Sequence, residues 1–290
     1  MPDILRAIIS MIIAMVFLTI SDVFIKLLSP SVSIGAIVFF MGLGTTLFFA
    51  VSIKLQRGPI FSRHYFHWTV VVRNIGEVTA ALGMVISLTY VPLVTVTALL
   101  QSQPLLLTAA GAIFLGEKVG VRRLAAVLLG FCGVMIIMRP GAEDFSIYSL
   151  LTIIALLGMV IRDIGARLAP QTVPTLPMAL HGSMVVSGLG LVMMMLSDDI
   201  LLPSGIVWLY VFGMAIASSV GIFFITRAMR LGEVSAISPF RYVKIIFGIG
   251  AGILLLDEQV DAAMLVGSAI VTVAGIYAFM REGQIAAQKK

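Results

Sequence analysis

The stretch SPFRYVKIIFGIGAGILLLDEQV, residues 238–260, opens on a polar break at Ser238 and Pro239, runs on as an apolar segment and closes on Asp257 and Glu258. An earlier stretch, QPLLLTAAGAIFLGEKV at residues 103–119, has the same layout: Gln103 and Pro104, an apolar run, then Glu117. The two glutamates are 141 positions apart, and each is followed by a glycine-bearing apolar run, with Gly130 and Gly133 in the first and Gly267 and Gly275 in the second. Order and spacing together mark an internal repeat. Apolar runs of this length belong in lipid, where crossing the ~30 Å hydrocarbon core takes about 20 mostly apolar residues.

The rest of the chain agrees. It has 290 residues, of which 60% are hydrophobic and 11% charged, with a mean hydropathy of +1.12. A soluble protein carries about 25% charged residues, and this chain has too few polar groups to cover a globular surface. A disordered chain, a disulfide-stapled secreted domain and a soluble enzyme with one anchor are therefore excluded. Ten spans are expected near 5–28, 33–53, 68–90, 93–115, 121–139, 147–168, 175–196, 204–227, 232–256 and 262–280. The first run is too long for a signal-peptide core and lacks a cleavage site, so it reads as a span. The single Cys132 reads as a small core residue.

Lys and Arg collect on the cytoplasmic side of short loops. With the N-terminus inside, the inner segments hold Arg6, Lys54, Arg57, Arg63, Lys118, Arg122, Arg123, Arg167, Arg227, Arg230, Arg281, Lys289 and Lys290, whereas the outer ones hold only Lys26 and Arg139. Both termini are then cytoplasmic. The Glu117 turn is basic and the Glu258 turn acidic, so the halves, 1–140 and 141–290, insert with opposite orientation. Inverted repeats of five helices are a recurring architecture of secondary transporters, with the substrate site near the midplane.

The LeuGlyGluLysVal segment at 115–119, its copy LeuAspGluGlnVal at 256–260, and Ser238-Pro239-Phe240-Arg241-Tyr242 resemble the EamA-type transporters of the drug/metabolite transporter superfamily, over about 5–280. The resemblance implies export or exchange of small metabolites, amino acids and their relatives among them, without ATP hydrolysis. The first half departs from the pattern, with Leu105 and Leu106 where the second has Phe240 and Arg241.

A charge at the centre of a membrane helix costs about 2.5 to 3.5 kcal/mol on insertion scales. Arg73, Arg162, Arg241, Lys244, Asp22, Glu77 and Asp163 lie within spans. Arg73 and Glu77 are one turn apart and can pair, at depths of about 8 and 14 Å. They read either as a self-neutralising pair or as a cavity face on which Glu77 takes a cation or a proton. Arg241 and Lys244, at about 12 and 16 Å, share a face beside Tyr242. They read as contacts for an anionic solute, Arg241 first because its fork holds a carboxylate bidentately, or as partners of Glu77 or Asp22. Gln101 beside Pro104 reads as a ligand hydrogen-bonding group or a helix-to-helix contact. Asp22 with Lys26 reads as an anchor or outer gate, Asp163 with Arg167 likewise, and Arg162 as snorkelling to the inner interface. His181 reads as a helix-to-helix hydrogen-bonding residue rather than a proton sensor. The glycines at 42–44, 188–190 and 248–252 read as points of close helix approach.

The reading is an all-α integral membrane protein of the bacterial inner membrane, a secondary-active exporter or exchanger of a small carboxylate-bearing metabolite. Substrate contacts are expected from Arg241, Tyr242, Lys244, Glu77 and Gln101, with Asp22, Lys26 and Arg73 in coupling or gating. No cofactor, metal, nucleic acid or catalytic residue is expected. The sequence leaves a coupling proton and homodimerisation open, and a channel or a non-transporting sensor would share the same spans.

Overall fold

The computed structural model describes residues 3–61, 67–114, 121–139, 146–170, 172–197, 201–231 and 238–288. The elements in chain order are α1 (Asp3–Leu28), α2 (Ile34–Leu55), α3 (Trp68–Tyr90), α4 (Leu93–Leu100), α5 (Gln103–Phe114), α6 (Val121–Met138), α7 (Ser149–Leu168), α8 (Thr175–Met195) and α9 (Val207–Leu231). A 3₁₀ turn (Ser238–Tyr242), α10 (Val243–Leu256) and α11 (Ala262–Gln288) follow. The described residues contain no strand. Seven segments are long and apolar enough to cross a membrane, and Leu124–Met138 and Ala262–Tyr277 are shorter apolar helices. This is a multi-pass membrane protein. The LeuGlyGluLysVal segment at 115–119, with its Glu117 turn, lies outside the described residues, as do His64 and the start of the ninth expected span.

Prolines place several of the boundaries. Pro92 and Pro174 stand as extended residues just before α4 and α8, with φ of −54° and −67°. A proline has no N–H to donate and a fixed φ, so it suits the entrance of a helix and not its interior. Pro104 divides what the sequence presents as one span: Leu100 ends α4, and Gln101 and Ser102 turn back to the carbonyls of Ala98 and Leu99 at 3.3 and 3.0 Å before α5 begins. Asp257, at φ 52° and ψ 31°, ends α10 in the left-handed region.

The chain forms two compact units. One comprises residues 1–19, 91–152 and 221–290, the other residues 20–90 and 153–220. In the second unit α2 and α8 run antiparallel: Gly35 lies against Met193, Phe39 against Gly190 and Gly42 against Ser187, while the Thr46 hydroxyl donates to Ser183 Oγ at 3.1 Å. There α3 and α7 also run antiparallel, with Arg73 against Gly165, Gly76 against Arg162 and Ala80 against Gly158. In the first unit α6 and α11 cross antiparallel with reciprocal contacts. A Cβ on Gly133 would lie 2.9 Å from the Gly267 carbonyl oxygen, and one on Gly267 would lie 2.8 Å from that of Gly133. In the same unit α4 and α10 pair antiparallel, Thr97 on Gly248 and Val94 on Gly252. The glycines thus serve close approach, as read from the sequence, except Gly188 and Gly250, which face open space.

Large apolar side chains, among them Leu47, Phe131, Leu209, Phe212 and Leu254, are exposed, as suits surfaces facing acyl chains. Cys132 is exposed on this apolar exterior. That corrects its reading as a core residue: the small face of α6 is taken by Gly130 and Gly133, and Cys132 falls beside it.

Two predictions follow from the crossings and caps. Gly133→Val should remove most monodisperse protein in size-exclusion chromatography, because its side chain meets backbone, whereas Gly250→Ala should be tolerated. At the start of α11 the Asp261 carboxylate accepts from the Met264 N–H at 2.7 Å and pairs with Arg139, so the Met264 bond first, then Arg139, holds it below the usual carboxylate range. Its contribution is therefore full at neutral pH and is lost only as pH falls through that lowered value. Asp261→Ala should lower the Tm in detergent by about 2 °C at pH 7, roughly the effect of removing one helix cap, and by less in strong acid.

Candidate functional site

In the second unit, helical periodicity puts Arg73 and Glu77 on one face of α3, and Arg73 Nη2 lies 2.7 Å from Glu77 Oε2. The other terminal nitrogen of Arg73 donates to the Met178 carbonyl and to Asn74 Oδ1, both at 3.1 Å. Glycines cut the slot this side chain occupies, for a Cβ on Gly182 would collide with Nη1 and one on Gly165 would press on the Arg73 backbone. From α7, Arg162 Nη1 lies 3.9 Å from Glu77 Oε1 and its Nε donates to Asp163 Oδ1 at 2.9 Å. Two guanidinium groups and two carboxylates thus form one neutral network.

The network gives Arg162 two carboxylate partners that its reading as a snorkelling residue did not include. Two carboxylates within reach offset part of the cost of burying its charge. The sequence held the signal in the adjacency of Arg162 and Asp163, but nothing in it placed α7 beside α3. His181 Nε2 donates to the Ile60 carbonyl at 3.2 Å, and its ring stacks on Phe61 with centroids 5.3 Å apart. This ties α8 to the segment after α2. Asp22 is buried, 5% exposed, one turn before the half-buried Lys26 on α1.

Gln101, Arg241, Tyr242 and Lys244 all fall in the first unit. Gln101 is buried at the α4–α5 break. Arg241 and Tyr242 end the 3₁₀ turn, and Lys244 lies in the first turn of α10. Arg241 and Lys244 are half-buried. Tyr242 is 4% exposed, and its hydroxyl has no hydrogen-bond partner among the described residues. It occupies the space that a Cβ on Gly275 would fill. A buried hydroxyl without a partner costs about 1–3 kcal/mol.

Sequence reasoning saw Glu258 as the acid of a repeated turn and missed what it does. Its two carboxylate oxygens accept from the backbone N–H groups of Leu93 and Val94 at 2.7 and 2.9 Å. Pro92 brings no side-chain acceptor to the start of α4, and Leu93 and Val94 are fully buried. Without the carboxylate, each orphaned N–H would cost about 1–3 kcal/mol.

Residues 5–139 match the family described as the EamA-like transporter family. The chain is 28% identical over 187 residues to a riboflavin transporter of Vibrio cholerae serotype O1, covering 62% of this chain and 60% of that protein. It is 24% identical over 202 residues to an S-adenosylmethionine uptake transporter of Rickettsia felis, covering 70% of this chain and 68% of that one. A solved structure described as a crystal structure of a protein has the same fold, with a TM-score of 0.65 at 17% identity over 95% of this chain and 98% of that chain. Repeated acids, proline-broken helices and the match over 5–139 converge on one resemblance: the first half of the chain is similar to the EamA-like transporter family, and the relatives above are named as transporters and not as enzymes.

Proposed function

We propose that the protein is a secondary-active transporter of the bacterial inner membrane, an exporter or exchanger that carries a small carboxylate-bearing organic solute by alternating access. The observation that carries this reading is the interrupted helix α4–α5, broken at Gln101 and Ser102, in the same compact unit as the 3₁₀ turn that leads into α10. In transporters, such breaks free backbone groups and place polar side chains at the binding site near the bilayer midplane. Arg241 holds the carboxylate, Lys244 adds a second positive charge, Tyr242 supplies its hydroxyl or ring, and Gln101 orients the solute. Glu77, in the second unit, takes a coupling proton. With Arg73 and Arg162 already on it, that step requires one guanidinium to turn away. Asp22 and Lys26 act as an outer gate.

Ten spans in two inverted halves support the cycle. The antiparallel pairs α2 with α8, α3 with α7, α4 with α10 and α6 with α11 all run as ten alternating spans demand. The reciprocal contacts of Gly133 and Gly267 are those of a local two-fold axis. Uptake by the Rickettsia felis relative and export as the family resemblance implies are opposite directions of one reversible cycle.

The test is a thermal-shift screen of purified protein against amino acids, S-adenosylmethionine and riboflavin, followed by flux in proteoliposomes. A carboxylate-bearing compound should raise the Tm and be transported. Arg241→Ala should cut its flux at least tenfold, and Arg241→Lys should retain part of it, keeping the charge and losing the fork. Unchanged flux in Arg241→Ala, or a response to riboflavin alone, overturns the carboxylate assignment. For the inverted repeat, a membrane-impermeant maleimide should label Lys118→Cys and Gln259→Cys from opposite sides in a Cys132→Ala background; labelling from the same side refutes inversion.

A further inference from the structure

We infer that α4 is a hinged arm and that Glu258 is the catch holding it shut. Three observations meet on this short helix. Its N-terminus is gripped from another element by both oxygens of one carboxylate, Leu93 and Val94 donating at 2.7 and 2.9 Å. Its C-terminus is a turn, where Gln101 and Ser102 bond to Ala98 and Leu99 instead of continuing the helix and the Ser102 hydroxyl donates to the Leu99 carbonyl at 2.7 Å. Pro104 then removes the N–H that would have joined the two pieces. Between catch and turn the helix is buried on all residues but Thr95 and meets α10 through Thr97 on Gly248.

The catch is built with its own recess. The N–H groups of Asp257 and Glu258 both close on the Gly252 carbonyl, the latter at 2.9 Å. This turns the chain back so that the Glu258 side chain lies over α10. A Cβ on Gly252 would stand 2.9 Å from Glu258 Oε2 and would also strike Val94. Glycine at 252 therefore makes the room in which a carboxylate reaches α4. The positive end of the helix dipole favours an anion there, and the buried N–H pair leaves the arm no alternative acceptor while it stays packed. Releasing the carboxylate frees the arm to swing about Gln101 and Ser102, carrying Gln101 with it. Glu258 is thus a positioning residue, acting on the solute through Gln101. The arm's purpose rests on the transporter reading, and its existence rests on the Glu258 geometry alone.

The experiment uses the purified full-length chain in detergent, with Cys132→Ala and a reporter Thr97→Cys, and measures the rate of maleimide labelling. Thr97 is fully buried, so labelling of the parent should be slow. Glu258→Ala should accelerate it at least tenfold. Gly252→Ala, which keeps the carboxylate but displaces it, should do the same, and Glu258→Gln, which keeps one acceptor, should fall between. A second reporter, Val85→Cys, fully buried in the other unit, should keep its parent rate in all three. Equal Thr97→Cys rates in Glu258→Ala and parent overturn the proposal, and so does parallel acceleration of both reporters, which marks general unfolding. No flux is read, so a failed solute panel leaves the arm standing, and measured transport with unchanged labelling refutes the arm alone.

Discussion

A lipid interior offers no hydrogen bonds, so every polar group inside the membrane must be answered by the chain itself. The four-charge network of Arg73, Glu77, Arg162 and Asp163 is the largest answer to that constraint, joining α3 and α7 and, through the Met178 carbonyl, α8. Smaller ones recur along the helices, where Thr19, Thr45, Ser52, Thr79, Thr89 and Ser219 donate to the carbonyl four residues earlier. Glu258 answers for the buried start of α4.

The same solvent removes the usual reason for helices to associate, since acyl chains are as apolar as leucine. Association then depends on close packing, and small residues at the crossings allow it. Gly42 on α2, Gly76 on α3, Gly133 on α6 and Gly267 on α11 each stand where a side chain would meet backbone. Where helices must also be interrupted, proline makes the break and a neighbour supplies the missing bonds. The division of labour is consistent: glycines fix where helices meet, prolines where they stop, and the few charges hold what neither can.

Among the described residues most helix limits were legible to within a few residues, because an apolar run ended by Pro92, Pro174 or an acidic turn is a local signal. The expected 68–90 is α3, and 262–280 is contained in α11. The pairing of Arg73 with Glu77 was legible too, since helical spacing alone brings them together. The meeting of Arg162 with Glu77 was not legible because the two are 85 positions apart on different helices, and Cys132 was misplaced because an apolar run does not say which of its faces meets protein. The role of Glu258 was hidden for a third reason. A carboxylate that caps a different helix leaves no periodic trace, and its acceptor role becomes visible only when Leu93 and Val94 stand beside it.

The sequence by itself determined the solvent, the helical class, the approximate limits of most described helices and the short list of charges that need partners, because each depends on composition or on neighbours within one turn. The tertiary structure decided which charges meet, that Pro104 divides its span into two helices, and that the acid of the second repeated turn grips α4. Those outcomes depend on which helix faces lie within about 3 Å of one another, a distance set by glycine crossings between segments that the sequence places far apart.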